Sequence, residues 1–375
     1  MSEKIKESEF ARRRQITKNW KYKYLSDFKQ LRKNWFDPRF DLYKAYVDSK
    51  KITGIRLGVT NSVEDDCYIM PGVNIIAGLT GHGKSMVANT LAYREVKNGK
   101  NVLFISLEIV KRNIYYQMLS IHSFATRNEN EYISHSTIKK HQLSDEQEAF
   151  VFDTLWKEFN NLDGNLFILD EWDFDTSSSE QLQEQLFLVE EYAQTTTGHG
   201  LDLIIVDYIQ LLKTYSDTGI TKEYDSLNMW TNDFRRISCN FLGQNHEIPI
   251  VLLSQLNRDA MNDEIEIAKK VNKNKCLPAG KQKAVPDIKL GLSQIAGCIE
   301  ICKAATTIFA IYSNESLKVS NQCWFFMLKN RDGACNEDPK ISYMNPKYYS
   351  VGQFENWNVE YQGVVDFDNL VSPTL

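Results

Sequence analysis

The sequence has no apolar run near the roughly 20 residues that a helix needs to cross a bilayer. Residues 1–14, MSEKIKESEFARRR, are charged and lack the apolar core of a secretory signal. These absences argue against a membrane protein and against a secreted one. They predict a cytoplasmic protein, located in the host cytoplasm if the chain is viral.

Paired cysteines and a positive net charge are missing as well. None of the seven cysteines forms a Cys-x-x-Cys pair or lies beside a histidine pair at ligand spacing. This pattern argues against structural zinc and favours reduced, mostly buried thiols.

The net charge of −5 argues against a protein whose whole surface is positively charged. Contacts with nucleic acid must therefore come from local basic patches.

Apolar strands alternate with helical segments over most of the chain. The predicted strands cover residues 73–77, 101–106, 165–170, 201–212 and 248–254, followed by TTIFAIY, CWFFMLKNR and KISYM. This alternation is typical of an α/β fold with a mostly parallel, twisted sheet flanked by helices. We expect an ATPase domain over residues 51–350, preceded by a basic, aromatic helical arm or linker (1–50) and followed by an acidic tail (351–375).

Residues 78–85, GLTGHGKS, fit the phosphate-binding pattern Gly-x-x-x-x-Gly-Lys-Ser between a predicted strand and a predicted helix. Glycines let backbone N–H groups turn toward phosphate oxygens, and the helix directs its positive end at them. Lys84 is expected to reach the β and γ phosphates and Ser85 to bind magnesium, so the predicted cofactors are ATP and Mg²⁺. The alternative is a chance match in an unrelated glycine turn. The predicted nucleotide contacts are Gly78, Gly81, His82, Gly83, Lys84, Ser85 and Met86.

Carboxylates at the ends of neighbouring strands complete such a site. Asp207 follows the buried run LIIV and is the natural second magnesium ligand, since a solvated acid has little reason to follow buried positions. A further carboxylate must orient and deprotonate the attacking water. Glu108 and Glu171 each follow a predicted strand, and periodicity does not separate them.

A set of motifs resembles the DnaB-type replicative helicases, a ring-forming family with phage and mitochondrial members. The motifs are SLE at 106–108, LDLIIVDYIQLL at 201–212, IPIVLLSQLNRD at 248–259 and LKNRDG at 328–333. They stand in the family's order, and the resemblance covers roughly residues 52–350. Several motifs in register are more specific than a phosphate-binding loop alone. The resemblance implies a RecA-like ATPase core.

The resemblance also implies catalytic roles. Glu108 matches the catalytic glutamate, Asp207 the Walker B aspartate, and Gln255 the polar residue that senses the γ-phosphate. Lys329 and Arg331 match the pair that a neighbouring subunit inserts into the site. The alternative for this pair is that it only solvates the end of a strand.

The family forms hexamers that thread one DNA strand through the ring, which implies basic loops along the channel. The predicted DNA contacts are Lys269, Lys270, Lys273, Lys275, Lys281, Lys283 and Gly297. A lysine-rich loop is, however, often just solvated. Residues 294–298, QIAGC, also lack the Arg and Glu of many bacterial members, so the transfer of DNA contacts is less direct here. This departure and a long connecting loop indicate a divergent, phage-like branch. Since about 50 residues are too few for the N-terminal helical domain of the cellular members together with a linker, we expect that domain to be missing.

The two ends of the chain carry their own predictions. The basic arm is expected to dock on an adjacent subunit, with DNA binding or a solvated helix as alternatives. The acidic tail is predicted to bind a primase or a single-strand-binding protein. The function predicted overall is a hexameric helicase that moves along single-stranded DNA and unwinds forks. The alternatives are a RecA-like DNA-binding filament ATPase and a non-translocating ATPase of the helicase-loader type.

Overall fold

The computed structural model describes residues 54–60, 66–212, 223–243, 247–257, 290–295, 299–331, 333, 335 and 339–352. The chain divides into two compact units, one of Met1–Thr53 with Leu242–His246 and one of Gly54–Phe241 with Glu247–Leu375. Nearly all described residues belong to the second unit. The predicted arm (1–50) and nearly all of the predicted tail (351–375) lie outside the described residues, so the domain boundaries stay predictions.

The described part of the second unit is built on a nine-stranded sheet, with a separate two-stranded ribbon. The ribbon pairs β1 (Ile55–Arg56) with β2 (Tyr68–Ile69). The sheet contains β3 (Gly72–Gly78), β4 (Asn101–Ser106), β5 (Asn165–Asp170), β6 (Leu203–Asp207), β7 (Pro249–Gln255), β8 (Thr307–Tyr312), β9 (Gln322–Asn330), β10 (Lys340–Asn345) and β11 (Ser350–Val351). Their order is β11-β10-β9-β8-β3-β7-β6-β4-β5. The strands from β8 to β5 are parallel, while β9, β10 and β11 add antiparallel pairs at one end.

Helices connect and cover these strands. They are α1 (Lys84–Lys97), α2 (Lys111–Thr126), α3 (His135–Lys139), α4 (Asp145–Ala149), α5 (Trp156–Asn160), α6 (Ser179–Thr197), α7 (Glu223–Cys239), α8 (Ile299–Ala304) and α9 (Glu315–Val319). A π-helical segment, Phe150–Leu155, joins α4 to α5. Local sequence explains where several begin: the Ser144 side chain accepts a hydrogen bond from the Gln147 backbone N–H and Ser178 does the same for Gln181.

The sheet is buried on both faces, as its continuous apolar runs predict. Ile76 and Phe104 pack with α1 and α2 in one hydrophobic cluster. Ile75 and Leu103 point to the opposite face, because side chains alternate along a strand, and they are equally buried. Each such side chain contributes roughly 1.5–3 kcal/mol when fully buried. The predicted α/β class with a mostly parallel sheet is confirmed.

One predicted element is shorter than expected. The apolar run 201–212 is not a single strand, because β6 ends at Asp207 and a 3₁₀ turn, Ile209–Leu211, follows. Ile209 is fully buried in that turn. Hydrophobicity alone does not distinguish a buried turn from a buried strand. The change of direction leaves Asp207 at the end of its strand.

Candidate active site

The predicted site residues come from strands that end at one edge of the sheet. In the parallel pairing, Gly78 is opposite Gln255 and Ser106 is opposite Asp207. Because β7 also pairs with β6, these positions form a continuous row of strand ends. Glu108 lies just beyond the end of β4. Open α/β sheets bind ligands at this edge.

The loop between β3 and α1 has the backbone form of a phosphate cradle. Gly81 and Gly83 have φ values of 78° and 97°, in the left-handed region that favours glycine. A Cβ added to Gly83 would lie 3.0 Å from the Met344 sulfur, whereas one added to Gly81 would meet nothing within 4 Å. The Gly81 side of the loop is therefore open, and the Gly83 side is packed against the protein.

Lys84 begins α1 and turns back over the loop. Its Nζ donates hydrogen bonds to the carbonyl oxygens of Gly78 (2.8 Å) and Leu79 (3.0 Å). Burial lowers its pKa, while the negative charges of Asp207 and Glu108 act in the opposite direction. The ammonium thus lies within electrostatic reach of both carboxylates.

Asp207 is almost completely buried, and burial raises the pKa of its carboxyl to about 6. The Ser85 hydroxyl and Lys84 lower that pKa, and the charge of Glu108 raises it. Among the described residues, none makes a hydrogen bond of ordinary geometry to either carboxylate oxygen. The Ser85 hydroxyl is near enough to affect the titration without meeting that geometry. Two buried oxygens without a partner, beside a hydroxyl, fit a hard divalent cation such as Mg²⁺.

Glu108 is exposed and borders a cavity of about 280 Å³. The cavity is lined by Glu108, Ile109, Val110, Asn113, Tyr116, Gln117, His135 and Lys139. Since β4 lies directly beside β6, Glu108 follows a strand about 5 Å from the one that carries Asp207. Glu171 follows β5, which is one strand farther away. The topology therefore favours Glu108 over Glu171 as the carboxylate nearest the site.

Gln255 ends β7 against the loop. The following residue, Leu256, donates its backbone N–H to the Gly78 carbonyl oxygen at 3.2 Å. The Gln255 side chain acts to lower the pKa of the Tyr208 phenol, although burial dominates and raises that pKa. These contacts place Gln255 beside both the loop and the residue after Asp207.

Two side chains near this edge have environments that the sequence did not reveal. His82 is buried, with its ring centroid 5.1 Å from that of Tyr312, and burial lowers its pKa to about 4. Tyr349 has a φ of 59° and packs its ring 4.9 Å from His135. Burial raises the pKa of Tyr349, and the charges of Asp207 and Glu108 raise it further. Nothing in its local sequence signals this proximity.

Lys329 and Arg331 lie at the other edge of the sheet. β9 runs antiparallel to β8, with Lys329 opposite Ile308. Arg331 donates its backbone N–H to Thr306 O, and Thr306 donates to Val73 O at the start of β3. Val73 and Gly78 are five residues apart along β3, so roughly 16 Å of strand separates the backbone of Arg331 from the loop. Within one protomer the structure does not bring this pair to the phosphate-binding loop.

The predicted DNA contacts Lys269, Lys270, Lys273, Lys275, Lys281, Lys283 and Gly297 all lie outside the described residues. Of the described cysteines, Cys67, Cys302 and Cys323 are buried and Cys239 and Cys335 are exposed, and none of these five forms a disulfide. Among the described helices, none is both long and apolar enough to span a membrane.

Comparison with known proteins gives a family and a set of structural neighbours. The model of the DnaB-like helicase C-terminal domain family matches residues 70–269. The chain is similar in structure to a DnaB-like replicative helicase whose interactions with primase were also studied. The two share 16% sequence identity with a TM-score of 0.60, and the match covers 88% of this chain and 71% of the helicase. The structure of an ATPase domain has 18% identity and a TM-score of 0.58, covering 84% of this chain and 97% of that one. At such identities the two structures show a shared, RecA-like fold. No curated protein matches the sequence.

Proposed function

The chain belongs to the DnaB-like helicase C-terminal domain family, and on that premise we propose that it is an ATP-dependent, ring-forming replicative DNA helicase. It moves along single-stranded DNA and separates the duplex at a replication fork. The observation that carries this proposal is that the phosphate-binding loop and Arg331 lie far apart within one protomer. The phosphate-binding loop and carboxylates lie at one edge of the sheet and Arg331 lies at the other.

Each residue at the sheet edge that carries the phosphate-binding loop has its own role in ATP hydrolysis. Lys84 and the loop N–H groups bind the β and γ phosphates, and Gln255 senses the γ-phosphate from the next strand. Ser85 and Asp207 hold Mg²⁺, which neutralises phosphate charge when bound. Glu108 is the general base for water, because it lies at this edge and is exposed to the adjoining cavity.

Arg331 completes the site of a neighbouring protomer. It is exposed at an edge that its own loop does not share, so its guanidinium is available to a second copy of the chain. An arginine inserted in this way stabilises the charge that develops on the transferred phosphoryl group. A head-to-tail interface of this type closes into a ring when its rotation closes, and the proposed ring is a hexamer.

The DNA contacts proposed for this ring are the six lysines between Lys269 and Lys283, together with Gly297. Their charge suits a single-stranded backbone in a central channel. A primase is the proposed partner of the tail at 351–375, since the similar helicase is described with its interactions with primase. The proposed location is the cytoplasm, that of the host if the chain is viral.

The test measures ATP hydrolysis with and without single-stranded DNA, alongside unwinding of a forked duplex. DNA-stimulated hydrolysis together with unwinding supports the helicase, and Lys84→Ala should remove both activities. Stimulated hydrolysis without unwinding, with open filaments in electron micrographs, would instead support a RecA-like filament ATPase. Hydrolysis that DNA does not stimulate would support an ATPase of the loader type.

A further inference from the structure

The end of β7 has a different environment on each side. On the side of β3 the pairing continues to the last residue of the strand, with Gln255 opposite Gly78. On the other side the pairing with β6 stops at Leu252, opposite Val206. It stops there because β6 ends one residue later, at Asp207, and the chain turns away. Among the described strands, none therefore pairs with the end of β7 on the β6 side.

The side chain of Gln210 takes the place of the missing strand. Gln210 lies in the 3₁₀ turn Ile209–Leu211 that follows β6. Its Nε2 donates a hydrogen bond to the Ser254 hydroxyl at 2.8 Å, and its Oε1 accepts one from the Gln255 backbone N–H at 3.4 Å. We call these two hydrogen bonds the Gln210 contact. A single amide group thus holds two consecutive residues at the end of β7.

The course of the backbone explains why Gln210 can reach the Gln255 N–H. Successive N–H groups along a strand point to opposite sides. The Leu256 N–H donates to Gly78 O on the β3 side at 3.2 Å, so the Gln255 N–H points to the β6 side, where Gln210 lies. Ser254 is fully buried, and its hydroxyl in turn donates to Gln255 O at 3.4 Å. A buried hydroxyl needs such partners within the protein, so the Gln210 contact fixes both residues.

We propose that Gln210 is a positioning residue, which fixes the end of β7 against the turn after Asp207 and thereby orients Gln255 toward the γ-phosphate. Because the same turn follows Asp207, the proposed magnesium ligand and the proposed sensor are held at a fixed separation. The proposal rests on the proposed function in taking Gln255 as that sensor. The partners of Gln210 lie 44 and 45 residues farther along the chain, so local sequence does not reveal this role.

The first test measures hydrogen exchange of the full chain without nucleotide or DNA. Gln210→Met keeps the length of the side chain and removes its amide, so the Gln255 N–H should exchange faster by roughly fivefold or more. The Leu256 N–H, which donates to β3, should change less. Gln194→Met is the matched control, since Gln194 is an exposed glutamine on α6 that donates to Glu190. Unchanged exchange at Gln255 in Gln210→Met would overturn the proposal whatever the role of Gln255 in ATP hydrolysis.

The second test measures the affinities for ADP and for a non-hydrolysable ATP analogue, together with kcat for ATP. A sensor of the γ-phosphate distinguishes these two nucleotides. Gln210→Met should therefore weaken binding of the analogue by roughly fivefold, leave ADP binding unchanged and lower kcat. A general loss of folded protein would instead weaken binding of both nucleotides alike, and that result would overturn the positioning role.

Gln255→Ala completes a double-mutant cycle. If Gln210 acts through Gln255, Gln210→Met has no further effect on analogue affinity or kcat in the Gln255→Ala chain. Equal effects of Gln210→Met in both backgrounds, or no effect in the parent chain, would overturn the proposal. An unchanged preference of Gln255→Ala for the analogue over ADP would refute the assignment of Gln255 as the sensor, and with it this use of the Gln210 contact. The exchange experiment reports on the contact independently of that assignment.

Discussion

Leu107 donates its backbone N–H to the carbonyl oxygen of Asp207 at 2.8 Å. This hydrogen bond holds the residue before Glu108 against the end of β6. The two carboxylates of the proposed site thus come from adjacent strands that are joined at their ends. Their environments differ sharply, because Asp207 is buried and Glu108 is exposed, as suits a metal ligand beside a general base.

Replacing Glu108 by Gln should abolish turnover while leaving nucleotide binding intact. We expect kcat to fall by about 10²–10⁴, the usual contribution of a general base. Steady-state hydrolysis and a fluorescent-nucleotide titration measure the two effects. Glu171→Gln is the matched control, since Glu171 also follows a strand but lies one strand farther from Asp207. A larger loss of turnover in Glu171→Gln than in Glu108→Gln would reverse the assignment.

Asp207 should make the folding stability of the nucleotide-free protein depend on pH. Burial raises the pKa of this carboxyl from its ordinary value of 3.8 to about 6 in the folded state, so the folded protein holds the proton more tightly. The resulting destabilisation is absent below pH 3.8, grows between pH 3.8 and 6, and is complete above that. Its full size is roughly 3 kcal/mol.

Urea unfolding of the parent chain and of Asp207→Asn at a series of pH values measures this effect. The variant should gain relative free energy of unfolding as the pH rises toward 6, and it should lose magnesium-dependent hydrolysis. Asp153→Asn, at an exposed ion pair with Lys157, should show no such gain. A stability difference for Asp207→Asn that is constant over this pH range would contradict the raised pKa.

Alanine substitutions in the phosphate-binding loop should differ in their effects. Gly81→Ala and Gly83→Ala both place a Cβ on a left-handed backbone, which costs about 1–2 kcal/mol. Only Gly83→Ala also meets the Met344 sulfur, at 3.0 Å. Gly83→Ala should therefore lower the thermal midpoint more than Gly81→Ala. Equal midpoints would show that the Met344 contact relaxes without penalty.

Arg331 should act only on a neighbouring protomer. Arg331→Ala alone should lose about three orders of magnitude or more in turnover, and Lys84→Ala alone should be inactive. When the two variants are mixed and reassembled at equal ratio, about a quarter of the sites combine an intact loop with an intact arginine. The mixture should then hydrolyse ATP much faster than the summed rates of the two variants measured separately. A mixture no more active than that sum would argue against a site shared between protomers.

The amino-acid sequence by itself determined the local elements and the chemistry at the loop edge. The predicted strands 101–106 and 165–170 coincide with Asn101–Ser106 and Asn165–Asp170, because a buried parallel strand needs an unbroken apolar run. The loop before Lys84 and the position of Asp207 were equally predictable, since each depends on a short motif beside such a run. The run after Asp207 was misread because hydrophobicity does not report a change of backbone direction.

Only the tertiary structure decided which residues meet. The order of the strands separates Glu108 from Glu171, and the antiparallel course of β9 carries Arg331 to the edge opposite Gly78. The carbonyl contacts of Lys329 and the packing of Tyr349 against His135 also depend on pairings between distant segments. Local pattern reports what a segment buries, whereas proximity between segments follows from how the whole sheet is assembled.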